Sequence, residues 1–161
     1  MLLRYIRPAA CLIIVMTLLL GGLYPLVITA VGSALFPSKA QGSLLYAGKT
    51  LIGSRLIGQQ FSDPKYFWGR PSATAPQPYN GLASGGSNLG PLNPALLEAV
   101  EANVKRLHEA DPSNATPIPV ELVTASASGL DPDISLAAAD YQASRVAQSR
   151  HLALLAVQSL I

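Results

Sequence analysis

Side chains that can do acid–base chemistry near neutral pH are few in this sequence of 161 residues. Only His108 and His151 titrate in that range, and each lies in a helical pattern without a recognisable nucleophile motif beside it. Asp131 and Asp133 form an acidic pair, although we expect Asp131 to cap a helix. The single cysteine, Cys11, lies in an apolar stretch and cannot join a Cys/His metal site. The sequence therefore predicts no catalytic residue and no metal site.

A glycine-rich segment is a weak candidate for contact with a ligand or a partner. Paired glycines let the backbone approach another molecule closely, and flanking hydroxyl and amide groups can hydrogen-bond to it. Its likeness to the ABC-transporter signature LSGGQ is superficial, because Ala83 replaces the leucine and Ser87 the glutamine. The alternative is a tight turn that packs against a partner or against its own domain. The residues of this glycine-rich turn are Ser84, Gly85, Gly86, Ser87 and Asn88.

Aromatic residues and an arginine cluster just before this turn. Trp68, Arg70 and Tyr79 are candidate partner contacts, with Tyr66 and Phe67 beside them, because aromatic residues and arginine dominate the energetics of interfaces. In the alternative interpretation, Phe67 and Trp68 belong to the core and Arg70 binds backbone carbonyls of its own loop. Both interpretations stay open at the level of sequence.

A helix is predicted directly after these segments. Asn93 is an N-cap residue and Pro94 suits the first helical position, so the helix begins there. It should end near Asp111-Pro112. The apolar residues that follow the start fall on one face of this helix, and they are Leu96, Leu97, Val100, Val104 and Leu107.

The remainder of the chain suggests one strand and a second helix. Residues 119–124 are short and rich in β-branched side chains, as a strand would be. Asp131-Pro132 can cap and begin a helix whose apolar spacing covers residues 134–150. Together these elements predict a small α/β (α+β) domain. The last residues, 151–161, are strongly apolar and stop within a helical pattern, so we expect the C-terminus to be incomplete.

The N-terminal part predicts a membrane-spanning helix. No charged side chain occurs from Pro8 to Ser38, and residues 9–35 are almost continuously apolar, whereas a bilayer core requires about 20 residues. A cleaved signal peptide is the alternative, with Arg4 and Arg7 as its basic region. Its apolar region would be only about 7 to 15 residues long, so we favour an uncleaved anchor.

Small and weakly polar residues recur every four positions along this anchor. Membrane helices associate through such residues, which allow close approach and hydroxyl hydrogen bonds, although glycine and proline are also simply common in membrane helices. The residues of this small-residue stripe, a predicted docking face for partner helices, are Thr17, Gly21, Pro25, Thr29 and Ser33.

The distribution of charge excludes nucleic acid as a partner and gives little information about the orientation of the anchor in the membrane. Without Arg4 and Arg7, nine of the eleven basic residues remain against nine acidic ones, so the part after the anchor is neutral and lacks the basic footprint of a nucleic-acid-binding protein. Lys39 and Lys49 on the other flank weaken the positive-inside bias, which favours a cytoplasmic N-terminus only slightly.

Three segments carry a resemblance to a known family. They are GSRLIGQQFSDPKYF (residues 53–67), FWGRPSATAPQPYNGLASGGSNLGPLNP (67–94) and VTASASGLDPDISLAAADYQASRVAQSR (123–150). The middle one has five prolines, five glycines and a single charge, Arg70, and we predict a surface loop of defined shape. The chain resembles, over nearly its whole length, the C subunit of the bacterial high-affinity potassium-transporting P-type ATPase, the Kdp complex.

This resemblance implies a non-catalytic accessory subunit of an ATP-driven potassium uptake pump. Its partners would be the ion-conducting and ATP-hydrolysing subunits, which use the potassium and ATP, and no cofactor would bind this chain directly. The family is described as a catalytic chaperone that assists nucleotide binding and coupling. The implied topology is a single-pass protein of the cell inner membrane: residues 1–8 are cytoplasmic, 9–35 transmembrane and 36–161 an extracytoplasmic domain.

Two alternatives from other classes stay open. One is a membrane-anchored envelope hydrolase that uses His108 or an acidic pair, and the other is a free-standing ligand-binding module built on the glycine-rich turn.

Overall fold

The computed structural model describes residues 3–161, which divide into two compact units: the first extends to Ile52 and the second is Gly53–Ile161. In the first unit, helix α1 (Leu3–Leu18) continues through a π-helical turn (Leu19–Leu23) into helix α2 (Tyr24–Leu35). Pro25 accounts for the widened turn, because its ring would clash with the carbonyl four residues earlier in a regular α-helix. The Tyr24 N–H instead donates to the Leu19 carbonyl, five residues back.

The continuous apolar helix is long enough to cross a membrane. It covers 32 residues, from Arg4 to Leu35, and an apolar window of 18 residues within it has a mean hydropathy of 2.5 and is not buried by other parts of the protein. At 1.5 Å per residue the helix is about 48 Å long, whereas the hydrocarbon core of a bilayer is about 30 Å thick. Length and composition therefore agree with the predicted N-terminal spanning helix.

A short helix and a hairpin follow the long helix. Helix α3 (Pro37–Ala40) precedes strands β1 (Leu44–Ala47) and β2 (Thr50–Ser54), which pair as a two-stranded sheet. The turn between the strands has Gly48 at φ +62°, a conformation that glycine adopts without steric cost.

The second unit is built around helices. It contains helices α4 (Pro94–Ala110), α5 (Leu136–Arg150) and α6 (Leu154–Gln158), long loops before α4 and between α4 and α5, and two short 3₁₀ turns, Gly81–Ala83 and Val120–Leu122. One hydrophobic cluster brings together α4, α5 and the loops, and consists of Trp68, Leu107, Leu122, Val123, Ala138 and Tyr141. A second cluster lies between α5 and α6 and consists of Ala143, Val146, Ala147 and Val157.

Helix α4 confirms both predicted ends. The Asn93 side chain accepts a hydrogen bond from Ala95 N at 3.0 Å, Pro94 occupies the first turn, and Asp111 ends the helix. The predicted apolar face is wrong at Leu97, which is 60% exposed, whereas Leu107 is buried. Leu97 lies in the first turn, about 100° around the axis from Leu96, and points away from the side that meets the core.

Two further expectations are wrong. The segment 119–124 is not a strand: Val120–Leu122 forms a 3₁₀ turn in which Leu122 N donates to Pro119 O at 3.0 Å. No neighbouring strand lies along it in the described chain, so its β-branched residues have no ladder to join. Helix α5 is capped by Ser135, whose hydroxyl accepts from Ala138 N at 3.1 Å, and not by Asp131. The observed fold is an apolar N-terminal helix followed by helices and a two-stranded sheet.

Candidate functional site

The loop of residues 67–94 is fixed at its start to helix α5. Trp68 N donates to the Gln142 side-chain oxygen at 2.8 Å, and the Gln142 amide donates back to Trp68 O at 3.1 Å. Trp68 is only 6% exposed, and its indole N–H donates to Asp63 O at 3.1 Å. Trp68 is therefore buried within its own domain.

Two arginines from different helices lie over the Trp68 ring. The guanidinium carbons of Arg106 and Arg145 are 5.1 and 4.2 Å from the ring centroid, within cation–π range. Arg145 is 4% exposed and donates to Gln142 Oε1 at 2.7 Å, to Tyr66 O at 3.1 Å and to Pro64 O. Burial lowers the pKa of Arg145 to about 10, so this guanidinium is still charged at neutral pH.

Arg70 is held by its own domain. One terminal nitrogen lies 3.3 Å from Asp131 Oδ2 and the other donates to Ala125 O at 3.3 Å. Tyr79, at φ +56°, donates its hydroxyl to Arg70 O at 2.6 Å, and burial raises the pKa of Tyr79. The buried Nε of Arg70 has no hydrogen-bond partner.

Hydroxyl groups give the loop its shape. Ser72 Oγ donates to Gly129 O at 2.6 Å and accepts from Tyr79 N at 2.9 Å. Thr74 Oγ1 donates to Gln77 O at 2.8 Å and accepts from Asn80 N at 3.0 Å. These bonds between side chain and backbone confirm a loop of defined conformation, as the paucity of charge and the turn-forming residues indicate.

The glycine-rich turn packs against residues 126–129 of the same unit. Gly85 N and Ser84 Oγ both bond to Ser128 O, at 2.9 and 3.0 Å. A Cβ on Gly86 would lie 3.0 Å from Ala127 O, so this glycine allows the close approach of two backbones. Ser87 and Asn88, by contrast, are exposed.

Gly129 provides a direct test of this packing. Its φ is +68°, and a Cβ there would lie 2.5 Å from Thr74 Cγ2 and 2.8 Å from Gly85 O. Strain and overlap together predict that Gly129→Ala lowers the free energy of unfolding by about 2 to 4 kcal/mol. Gly90→Ala is the control, because a Cβ there meets no atom within 4 Å. Urea unfolding followed by Trp68 fluorescence measures both variants, and equal midpoints would contradict the packing described.

A cavity of about 320 Å³ opens beside the Trp68 ring. Its walls come from the loop, from helix α4 and from residues 123–125, and its apolar lining includes Phe61, Leu89 and Val100. Arg70 and Arg106 supply the only charged side chains among the residues that line it. The buried Nε of Arg106, like that of Arg70, has no hydrogen-bond partner.

The other predicted residues are not brought together. His108 on α4 and His151 after α5 are both exposed, and Asp131 faces Arg70 while its second oxygen accepts from Asp133 N at 3.1 Å. Within residues 3–161, no group of three or more His, Cys, Asp or Glu could hold a metal ion. The stripe residues Thr17, Gly21, Pro25, Thr29 and Ser33 are all exposed along the apolar helix.

Gln142, Arg145 and Arg106 are not among the site residues predicted from the sequence. The first two lie three residues apart on the side of α5 that buries Ala138 and Tyr141. Polar residues within an apolar stripe of a helix indicate buried hydrogen bonds, and this pattern is visible in the sequence. Arg106 offered no such signal, because its place depends on a loop that is distant in the chain.

Comparison with known proteins identifies relatives over nearly the entire chain. The family model described as "KdpC: K+-transporting ATPase, c chain" matches residues 6–161. A potassium-transporting ATPase KdpC subunit of Variovorax paradoxus is 62% identical over 156 residues, which is 97% of this chain and 81% of that protein. The corresponding subunit of Methylococcus capsulatus is 54% identical over 160 residues, covering 99% of this chain and 84% of its own length.

Proposed function

Because the chain belongs to the KdpC family, the c chains of K+-transporting ATPases, we propose that it is a non-catalytic accessory subunit of an ATP-driven potassium uptake pump. The observation that carries this proposal is the match over residues 6–161. The subunit holds its partners, the ion-conducting and ATP-hydrolysing subunits, in register and biases the equilibrium between their states.

The apolar helix is the proposed docking element in the membrane. This exposed helix carries Gly21 and the hydroxyls of Thr17, Thr29 and Ser33, and helices in lipid associate through small residues and hydroxyl hydrogen bonds. We place residues 1–8 in the cytoplasm, 9–35 in the inner membrane and 36–161 outside the cytoplasm.

The proposed contribution to nucleotide affinity is indirect. A domain outside the cytoplasm does not meet cytosolic ATP. In the glycine-rich turn, moreover, Gly85 N and Ser84 Oγ already bond to Ser128 O. The subunit therefore acts by stabilising the pump state that binds nucleotide more tightly, which is a coupling free energy between distant sites. A coupling of about 1 to 3 kcal/mol changes an affinity by about 5- to 150-fold.

Truncation tests this role. A chain ending after Ser54 keeps the apolar helix and the hairpin but loses the helical unit. We expect the pump assembled with it to lose at least about fivefold in ATP or potassium affinity, the low end of such couplings. The measurements are potassium-stimulated ATP hydrolysis and the yield of assembled complex, with the full chain as control. Unchanged assembly, affinity and hydrolysis would refute the proposal.

A further inference from the structure

The cavity beside Trp68 holds donors that its own domain does not use. Three lining hydroxyls have their protons bonded to backbone carbonyls: Ser72 to Gly129 O, Tyr79 to Arg70 O and Thr124 to Val120 O. The Asn103 amide donates to Ala99 O and to Val123 O. Of the two guanidinium groups at the walls, that of Arg70 bonds through its terminal nitrogens to Asp131 and to Ala125 O, whereas that of Arg106 has no hydrogen-bond partner in the described chain.

The charged groups at the cavity determine which charge a ligand should carry. Asp131 lies 3.3 Å from Arg70 and balances it, whereas no carboxylate within ion-pair distance balances Arg106 in the described chain. Burial lowers the pKa of Arg106, which expresses the cost of leaving this cation without an anion. The cavity thus carries one excess positive charge, and a monoanion neutralises it.

The volume and the apolar walls of the cavity limit the size and polarity of the ligand. At about 320 Å³ the cavity lies at the low end of ligand pockets, which are about 300 to 1,000 Å³. Phe61, Leu89 and Val100 give it apolar walls. A planar carboxylate matches the edge of a guanidinium through two parallel hydrogen bonds.

We propose that this cavity is a binding site for a carboxylate attached to a small apolar body, bound through Arg106 with Arg70 beside it. The carboxylate comes either from a free apolar monocarboxylic acid or from an Asp or Glu side chain of a neighbouring pump subunit. Only the second source rests on the proposed subunit role. A dianionic phosphate would leave a negative charge buried and unbalanced, and is disfavoured.

The test is a titration of the full chain in detergent with 4-phenylbutyrate, followed through Trp68, the single tryptophan of the chain, and by calorimetry. Saturable binding is expected for 4-phenylbutyrate and not for the neutral 4-phenylbutyramide. Arg106→Gln should weaken binding by at least about tenfold, the usual worth of a hydrogen bond to a charged group. Lys105→Gln is the matched control, because Lys105 is exposed and its ion-pair partner is Glu109.

Arg106→Lys keeps the positive charge but loses the paired N–H donors of the guanidinium, so it should weaken binding severalfold. This variant provides the test if Arg106→Gln does not fold. The same titration of the assembled pump separates the two sources: retained binding indicates a free acid, and loss of binding on assembly indicates a subunit carboxylate. Equal affinity for the amide, unchanged affinity in Arg106→Gln, tighter binding of inorganic phosphate, or no saturable binding to the isolated chain would overturn the proposal.

Discussion

Replacing Gln142 with leucine is expected to lower the free energy of unfolding by about 3 to 5 kcal/mol, although leucine has a similar volume and suits a helix. Gln142 is 1% exposed and bonds to both backbone groups of Trp68 and to Arg145. Leucine leaves these buried polar groups without partners, at about 1 to 3 kcal/mol for each group. Urea unfolding of the detergent-solubilised chain, followed by circular dichroism, measures the loss.

Gln148→Leu is the matched control for that variant. Gln148 is exposed on the same helix and its side chain bonds only to Ser144 Oγ, at 3.2 Å. Its replacement should change the free energy of unfolding by no more than about 0.5 kcal/mol. Similar losses in both variants would show that the Gln142 bonds do not fasten the loop to helix α5.

Replacing Trp68 with alanine is expected to cost about 3 to 5 kcal/mol, the range for removing a buried aromatic side chain. The ring is buried in the main cluster, and its loss also uncovers the guanidinium groups of Arg106 and Arg145. Circular dichroism during urea unfolding is again the measurement, because this variant has no tryptophan fluorescence.

Leu82→Ala is the control, since Leu82 lies in the same loop but is fully exposed. The comparison also separates the two roles that sequence leaves open for Trp68. A core role predicts an isolated chain that unfolds at lower urea. If Trp68→Ala leaves the isolated chain as stable as Leu82→Ala while reducing assembly with the pump, Trp68 acts as a partner contact instead.

The features that were predicted correctly from the sequence depend on residues that are close together in the chain. The start of α4 follows from Asn93 and Pro94, because a cap and a fixed φ act within one turn. The apolar helix follows from length and composition alone. Neither inference requires knowledge of what packs against the element.

The errors and omissions depend on contacts between distant residues. Asp131 has the residue type of a cap, but its oxygens bond to Arg70, 61 residues away, and to Asp133 N, so Ser135 begins α5. Residues 119–124 have β-branched side chains but no strand to pair with. The cavity joins loop residues to Arg106, which no local pattern marks. Long-range partners decided these cases, and a single sequence does not reveal them.

Purification of this chain, carrying an affinity tag, from detergent-solubilised membranes of potassium-starved cells tests directly whether it is a pump subunit. If it is one, the ion-conducting and ATP-hydrolysing subunits come with it in fixed proportion, and the complex hydrolyses ATP in response to potassium. Recovery of the chain alone, with the two other subunits assembled and fully active without it, would show that it is not an accessory subunit of the pump.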